Sequence, residues 1–293
     1  MKKNKEVQKP PFRYKVAIIS DKEGDYIKNL IDAFAKVEIS SEFINLKDLG
    51  LMVEGGNTKI LNKDIEFLNY DGVLLNASEN LFLFIEPLLN ELSDKGVYCN
   101  IKPASFNILS NPPYLLTSLN IKGIKLKKIK LISDIDLLKD SIKDFKFPLL
   151  LESFAETTKS QKIFIESEET LNSLVKNLEI DFKILVIQEF LKEDIDQSIV
   201  IDEEIYTVRK KWVEDKIENS KKGMSINLDN KVKDILIKAS DIIGCDIIQI
   251  KTIGDKVIKI KPLIDFEEFN QEEGQDIYSV IARLYKNKFE KTN

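Results

Sequence analysis

The chain has 293 residues, of which 43% are hydrophobic and 32% charged, which suits a globular protein of about two domains with sizeable cores. Lysine plus arginine number 44 against 49 acids, a net charge of −5, so charge gives no case for binding nucleic acid or a membrane surface. There is no histidine, which excludes Ser-His-Asp and Cys-His nucleophilic devices and His-containing zinc sites.

Residues 1–13, lysine-rich with Pro10 and Pro11, read as a flexible tail. No signal-type apolar stretch follows them. The apolar run LFLFIEPLL is short and interrupted by Glu86 and Pro87, too short to span a bilayer. A cytoplasmic protein is expected, with Cys99 and Cys245 as reduced thiols.

Residues 15–20 (KVAIIS) form an apolar run of strand length. Ile27, Leu30, Ile31 and Phe34 follow at helical spacing, 41–46 (SEFINL) reads as a second strand, and 50–57 as a loop broken by Gly55-Gly56. A buried strand is expected at 70–76 (YDGVLLN) and a helix over 80–95. Strand and helix alternate, which argues for a parallel sheet with right-handed crossovers.

The middle of the chain differs. Residues 124–131 (IKLKKIKL) alternate lysine with apolar side chains, as a half-exposed strand does. Strands are expected at 149–153 and 161–166, then a helix capped by Ser167 with Leu171, Leu174, Val175 and Leu178 inward. A buried strand at 184–187 opens the last third. Hairpins follow at 198–208 and 247–261, separated by a helix that Asp229 caps and Gly244 ends. A last helix carries Ile277, Val280, Ile281 and Leu284 on one face.

The stretch ILVIQEFLKED from Ile184, and the segment from Gly244 through GCDIIQIKTIGDKVIKIKPLIDFEEFN, resemble the hinge strand and closing hairpin of RimK-like ATP-grasp ligases. The N-terminal strand–helix units resemble that family's pre-grasp domain. The resemblance implies an α/β chain of ATP-grasp fold: a tail at 1–13, a Rossmann-like pre-grasp domain at 14–108, and two α+β subdomains at 109–183 and 184–293. It also implies that Gln188, Glu189, Phe190 and Leu191 stand where the family's hinge holds adenine.

The departures from the family pattern are chemical. Its closing hairpin carries Asp, Glu and Asn as magnesium ligands; the matching positions hold Lys251, Lys259 and Lys261. An ammonium has only donors and cannot ligate magnesium. The family's phosphate-binding lysine after Pro-apolar-apolar-apolar falls on Glu152, and the lysine before the central domain falls near Leu109. The glycine-rich flap corresponds to 156–162 (ETTKSQK), which has no glycine. Asn219 and Gly223 resemble an Asn-x-x-x-Gly acceptor loop; with Lys216, Lys221 and Lys222 around them, a polar loop explains them equally. Trp212 is expected to pack rather than to stack on a base.

Read without the family, Lys259 and Lys261 are two apart on a strand and share a face, with Lys251 and Gln249 on the partner strand. A solvated sheet face explains them as well as an anion site does. Three functional readings follow. The lost ligands favour a non-catalytic relative acting as a binding or regulatory subunit, with an active paralogue or another protein as partner. A metal-independent binder of an anionic metabolite is the second. An active ATP-dependent carboxylate–amine ligase with an unusual metal arrangement stays open as the third. No catalytic residue, metal or cofactor is expected, apart from ATP bound without magnesium.

Overall fold

The computed structural model describes residues 12–67, 69–78, 81–154, 161–177, 183–213, 216–217, 223–269 and 276–292. Three sheets of four or five strands carry the fold. In the first, Tyr14–Ser20 pairs in parallel with Ile39–Asn45 on one side and Gly72–Asn76 on the other, and Tyr98–Cys99 adds to the edge. Side chains alternate between two cores. Val16 and Ile18 share one with Leu30 and Phe34 of the helix Asp25–Lys36 and with Ile281 and Tyr285 of the helix Ile277–Thr292. Ala17 and Ile19 share the other with Leu88 of the helix Phe82–Asp94 and with Phe106. A strand buried on both faces reads as one apolar run, which is why 15–20 looks as it does.

The C-terminal helix is built into this sheet. Tyr285 donates a hydrogen bond to the Val73 carbonyl at 2.7 Å, and Gly72 lies so close beneath that a Cβ there would meet the Phe289 ring at 2.8 Å. Asn100, fully buried, bonds both backbone groups of Leu75 at 2.8 and 3.1 Å. Burial pushes the Cys245 thiol up to about 12, and neither cysteine is in a disulfide.

The second sheet is antiparallel, in the order Gln161–Ile165, Leu149–Phe154, Ile184–Glu189, Ile129–Ile132. Leu149, Leu151, Leu185 and Ile187 form its core with Leu171 of the helix Glu168–Asn177. Ser167 Oγ accepts from Thr170 N at 3.3 Å at the start of that helix. The third sheet orders Met224–Ser225, Glu204–Lys210, Ile195–Ile201, Ile247–Ile253 and Lys256–Lys261. The helix Asn230–Ile243 shares a core with its Val200, Ile248 and Ile250. Asp229 Oδ1 accepts from Lys231 N at 2.7 Å and Gly244 ends the helix at φ 80°.

Three expectations need correction. Residues 50–57 are not a loop: Leu49–Glu54 and Asn57–Asn62 are paired antiparallel strands. Gly55 and Gly56, at φ 59° and 82°, make the two-residue turn that needs positive φ at both centres. The strand expected at 124–131 is only Ile129–Ile132, preceded by a single bridge from Leu126 to Val257; Lys125 turns aside to pair with Asp255 at 2.7 Å. Two helices, Pro103–Ser110 and Pro112–Ile121, were not anticipated. Each begins on proline, whose fixed φ suits a first helical turn, and Asn111 caps the second by accepting from Tyr114 N.

The tail residues 1–11, the flap residues 156–160, and Asn219, Lys221 and Lys222 lie outside the described residues, as do Leu178 and the side chains of Leu174, Val175 and Lys216.

Candidate functional site

Two charged clusters lie on the second and third sheets. The first surrounds the end of the strand Ile184–Glu189. Gln188 is buried at the end of Ile184–Glu189 and donates through Nε2 to Glu152 Oε2 at 3.0 Å. Glu152 also pairs with Lys162, directly across the strand pair, at 3.2 Å. Glu189 Oε1 accepts from Lys128 N at 2.8 Å and from Lys256 Nζ at 3.1 Å. Burial raises its carboxyl, but those hydrogen bonds and the Lys256 and Lys127 charges hold it below the usual glutamate value. Glu189 is therefore not a freely solvated acid. Lys127, half-buried, is pushed down to about 8 by burial and by Lys162, against the pull of Glu152 and Glu189. Phe190 lies between Phe164 and Trp212, edge-on to both, at ring-centre distances of 4.8 and 5.7 Å. Leu191 follows, half-buried.

The second cluster is the lysine face. Lys251 stands directly opposite Lys259, and Gln249 opposite Lys261. Side chains paired across an antiparallel ladder, and those two apart along it, share a face, so these four project to the same side. Gln197 of the next strand pairs with Lys251 and joins them. Lys259 is exposed, Lys251 and Lys261 are half-buried, and Gln197 and Gln249 are completely buried. The face is therefore not uniformly exposed. The turn after Lys261 folds back over it: Gln249 Oε1 accepts from Asp265 N at 3.1 Å, and Asn76 Oδ1 accepts from Ile264 N at 2.8 Å. The short helix Phe266–Phe269 then brings Glu268 into an ion pair with Lys210.

Burial and then the neighbouring Lys261 depress the Lys251 ammonium to about 8, with Lys210 and Lys259 adding to the repulsion and Glu268 opposing it. The charged form is disfavoured because it has lost water and gained like charges.

Magnesium does not fit this arrangement. It needs oxygen ligands in near-octahedral geometry, and Lys251, Lys259 and Lys261 offer only ammoniums. Among the described residues, no group of three or more acidic, cysteine or histidine side chains is placed to hold a metal ion. No helix among them is long and apolar enough to cross a membrane.

The RimK-like ATP-grasp domain family matches residues 109–283, more than half of the chain. The chain belongs to the RimK-like ATP-grasp family. A search of curated proteins finds no match. Among solved structures, the fold is similar to a RiPP-associated ATP-grasp ligase from Chryseobacterium gregarium in complex with ADP and a leader and core peptide. There the TM-score is 0.71 at 13% identity, covering 94% of this chain and 97% of that one. It is also similar to a RimK domain ATP-grasp protein from Sphaerobacter thermophilus, with TM-score 0.68, 14% identity, and coverage of 93% and 99%. A macrocyclase, MdnC, bound with its precursor peptide MdnA from Microcystis aeruginosa, gives the same four values. At such identities the likeness establishes the ATP-grasp fold.

Gln188 and Glu189 thus fall on the second sheet, with Phe190 and Leu191 just beyond its strand, and the three lysines fall on the third. Sequence reading missed Lys127, Lys210, Gln197 and Glu268. No local pattern marks them, since strand pairing and the turn after Lys261 bring them to these clusters.

Proposed function

We propose that this RimK-like protein is a non-catalytic ATP-grasp relative that binds an anionic ligand without magnesium and acts as a binding or regulatory subunit. On this reading residues 14–108 are the pre-grasp domain, and 109–183 and 184–293 are the two halves that clasp the ligand. The observation that carries it is the direct opposition of Lys251 and Lys259, with Lys261 beside them, where the family carries Asp, Glu and Asn. Ligases of this family activate a carboxylate as an acyl phosphate for attack by an amine. That step needs the charge of the transferring phosphoryl group to be neutralised in a fixed geometry, and flexible ammoniums do not replace bridging metal ions in holding it.

The hinge supports a residual nucleotide shape. Gln188, Glu189, Phe190 and Leu191 keep the family's order, and Phe190 has aromatic neighbours on two sides. Its acids, however, are engaged with Lys162 and Lys256. The proposed partners are an anionic small molecule and a protein, either an active paralogue or another chain.

An assay of ADP formation tests the proposal. The protein is incubated with ATP, magnesium or manganese, and mixtures of amino acids and peptides as acceptors. No turnover above a protein-free control is expected. Sustained ADP formation that disappears in a Phe190→Asp variant would establish the active-ligase reading instead.

A further inference from the structure

Gln197 is a buried residue that the fold does not explain. It is 0% exposed, and among the described residues neither its Oε1 nor its Nε2 has a hydrogen-bond partner. Gln249, also 0% exposed, is half-satisfied: Oε1 accepts from Asp265 N, which fixes the amide's orientation, and Nε2 has no partner among the described residues. Unpaired buried amides are costly, and the great majority of such groups have partners. Both amides with unpaired groups occupy adjacent strands on the sheet face that holds Lys251, Lys259 and Lys261.

We propose that Gln197, Gln249 and Lys251 form a metal-independent site for a phosphate-type oxyanion, either free phosphate or a terminal phosphoryl group. This rests on the reading of the lysine positions given above and adds the residues and the ligand class. The donor count selects the ligand. Each glutamine Nε2 offers two N–H groups and the Lys251 ammonium three, with no acceptor among them. The ligand must therefore present several anionic oxygens. Gln197 Oε1 is the one unused acceptor, so the ligand must also donate one hydrogen. Phosphate at neutral pH retains an O–H and meets both requirements; sulfate has the oxygens but no hydrogen. Burial and then the neighbouring lysines depress the Lys251 ammonium, and the repulsive part reverses when an anion enters beside it. Glu268 is an acid near Lys251, and its ion pair with Lys210 keeps its charge compensated.

Calorimetric titration with sodium phosphate, in EDTA and at fixed ionic strength, tests the site. Wild type is compared with Gln197→Leu, Lys251→Gln and a control, Lys15→Gln, whose lysine pairs with Glu42 on the first sheet. Saturable one-site binding is expected in wild type and in the control. Each of the two site variants should weaken it roughly tenfold or more, the size of a lost hydrogen bond to a charged group. Sulfate should bind wild type more weakly than phosphate, and Gln197→Leu should narrow that difference. Competition by metal-free ATP identifies a nucleotide-borne phosphoryl group; its absence identifies free phosphate. If Gln197→Leu does not fold, Lys251→Gln and the sulfate comparison decide. Unchanged phosphate affinity in the site variants, or no saturable binding by wild type, overturns the proposal. Failure of the non-catalytic reading would show separately, as turnover of magnesium–ATP, which a phosphate titration in EDTA does not report.

Discussion

Replacing Lys251 by glutamine should make the ligand-free protein more stable at pH 7. The lysine falls from its usual value of 10.5 to about 8, and each pH unit corresponds to about 1.4 kcal/mol, so holding it protonated costs at most about 3.5 kcal/mol. The side chain is half-buried, so residual solvent screens the effect, and about 1–2 kcal/mol is a realistic figure. The sign follows from proton counting. Below pH 8 both folded and unfolded chains carry the proton, and the full penalty applies. Between about 8 and 10.5 the unfolded chain binds more protons than the folded one, so wild-type stability rises with pH. The advantage of Lys251→Gln should therefore be greatest at pH 7 and fade by pH 10.5. Urea denaturation at pH 7, 9 and 10.5, without phosphate, measures it. A variant equal to or less stable than wild type at pH 7 would refute the argument that Lys251 is crowded and desolvated.

Other expected outcomes bear on the same structure. Glu268→Gln leaves Lys210 without its ion-pair partner in a largely buried position and should cost about 1–3 kcal/mol in urea denaturation; it should also lower the Lys251 titration midpoint further, seen by NMR of labelled lysine, whereas an unmoved midpoint would place Glu268 away from that ammonium. Gly72→Ala drives a Cβ to 2.8 Å from the Phe289 ring and should destabilise by about 1–3 kcal/mol; a loss below about 0.5 kcal/mol would mean that the C-terminal helix does not sit tightly on the sheet.

Much of the fold is legible where one face of an element decides its pattern. The run at 15–20 is apolar because both faces of Tyr14–Ser20 are covered. Asp229 and Gly244 mark the ends of a helix because their side chain and backbone, respectively, satisfy local requirements. Pro103, and Asn111 with Pro112, carried equally local signals for two helices, which the short apolar periodicity between them hides. Gly55-Gly56 is ambiguous alone; the pairing of Leu49–Glu54 with Asn57–Asn62 makes it a hairpin turn.

The site was legible only in part. Lys251, Lys259 and Lys261 are visible in the sequence, and their common face follows from strand periodicity. Their environment does not. Lys259 remains exposed while Lys251 is half-buried, a difference set by the turn after Lys261 and the Phe266–Phe269 helix folding over one end of the face. Gln197 reads as an ordinary polar strand residue, and its isolation from every hydrogen-bond partner among the described residues is a tertiary fact. Glu152 looks prohibitive for phosphate in sequence; in the fold, Lys162 and Gln188 engage it.

Calorimetric titration of ATP with and without magnesium tests the central claim most directly, because the claim concerns what replaced the metal ligands. Equal ATP affinity in magnesium and in EDTA, or weaker affinity in magnesium as the cation competes with the lysines for phosphate oxygens, is the predicted result. A clear gain in ATP affinity on adding magnesium would contradict the account and show that this RimK-like chain still assembles a metal–nucleotide site.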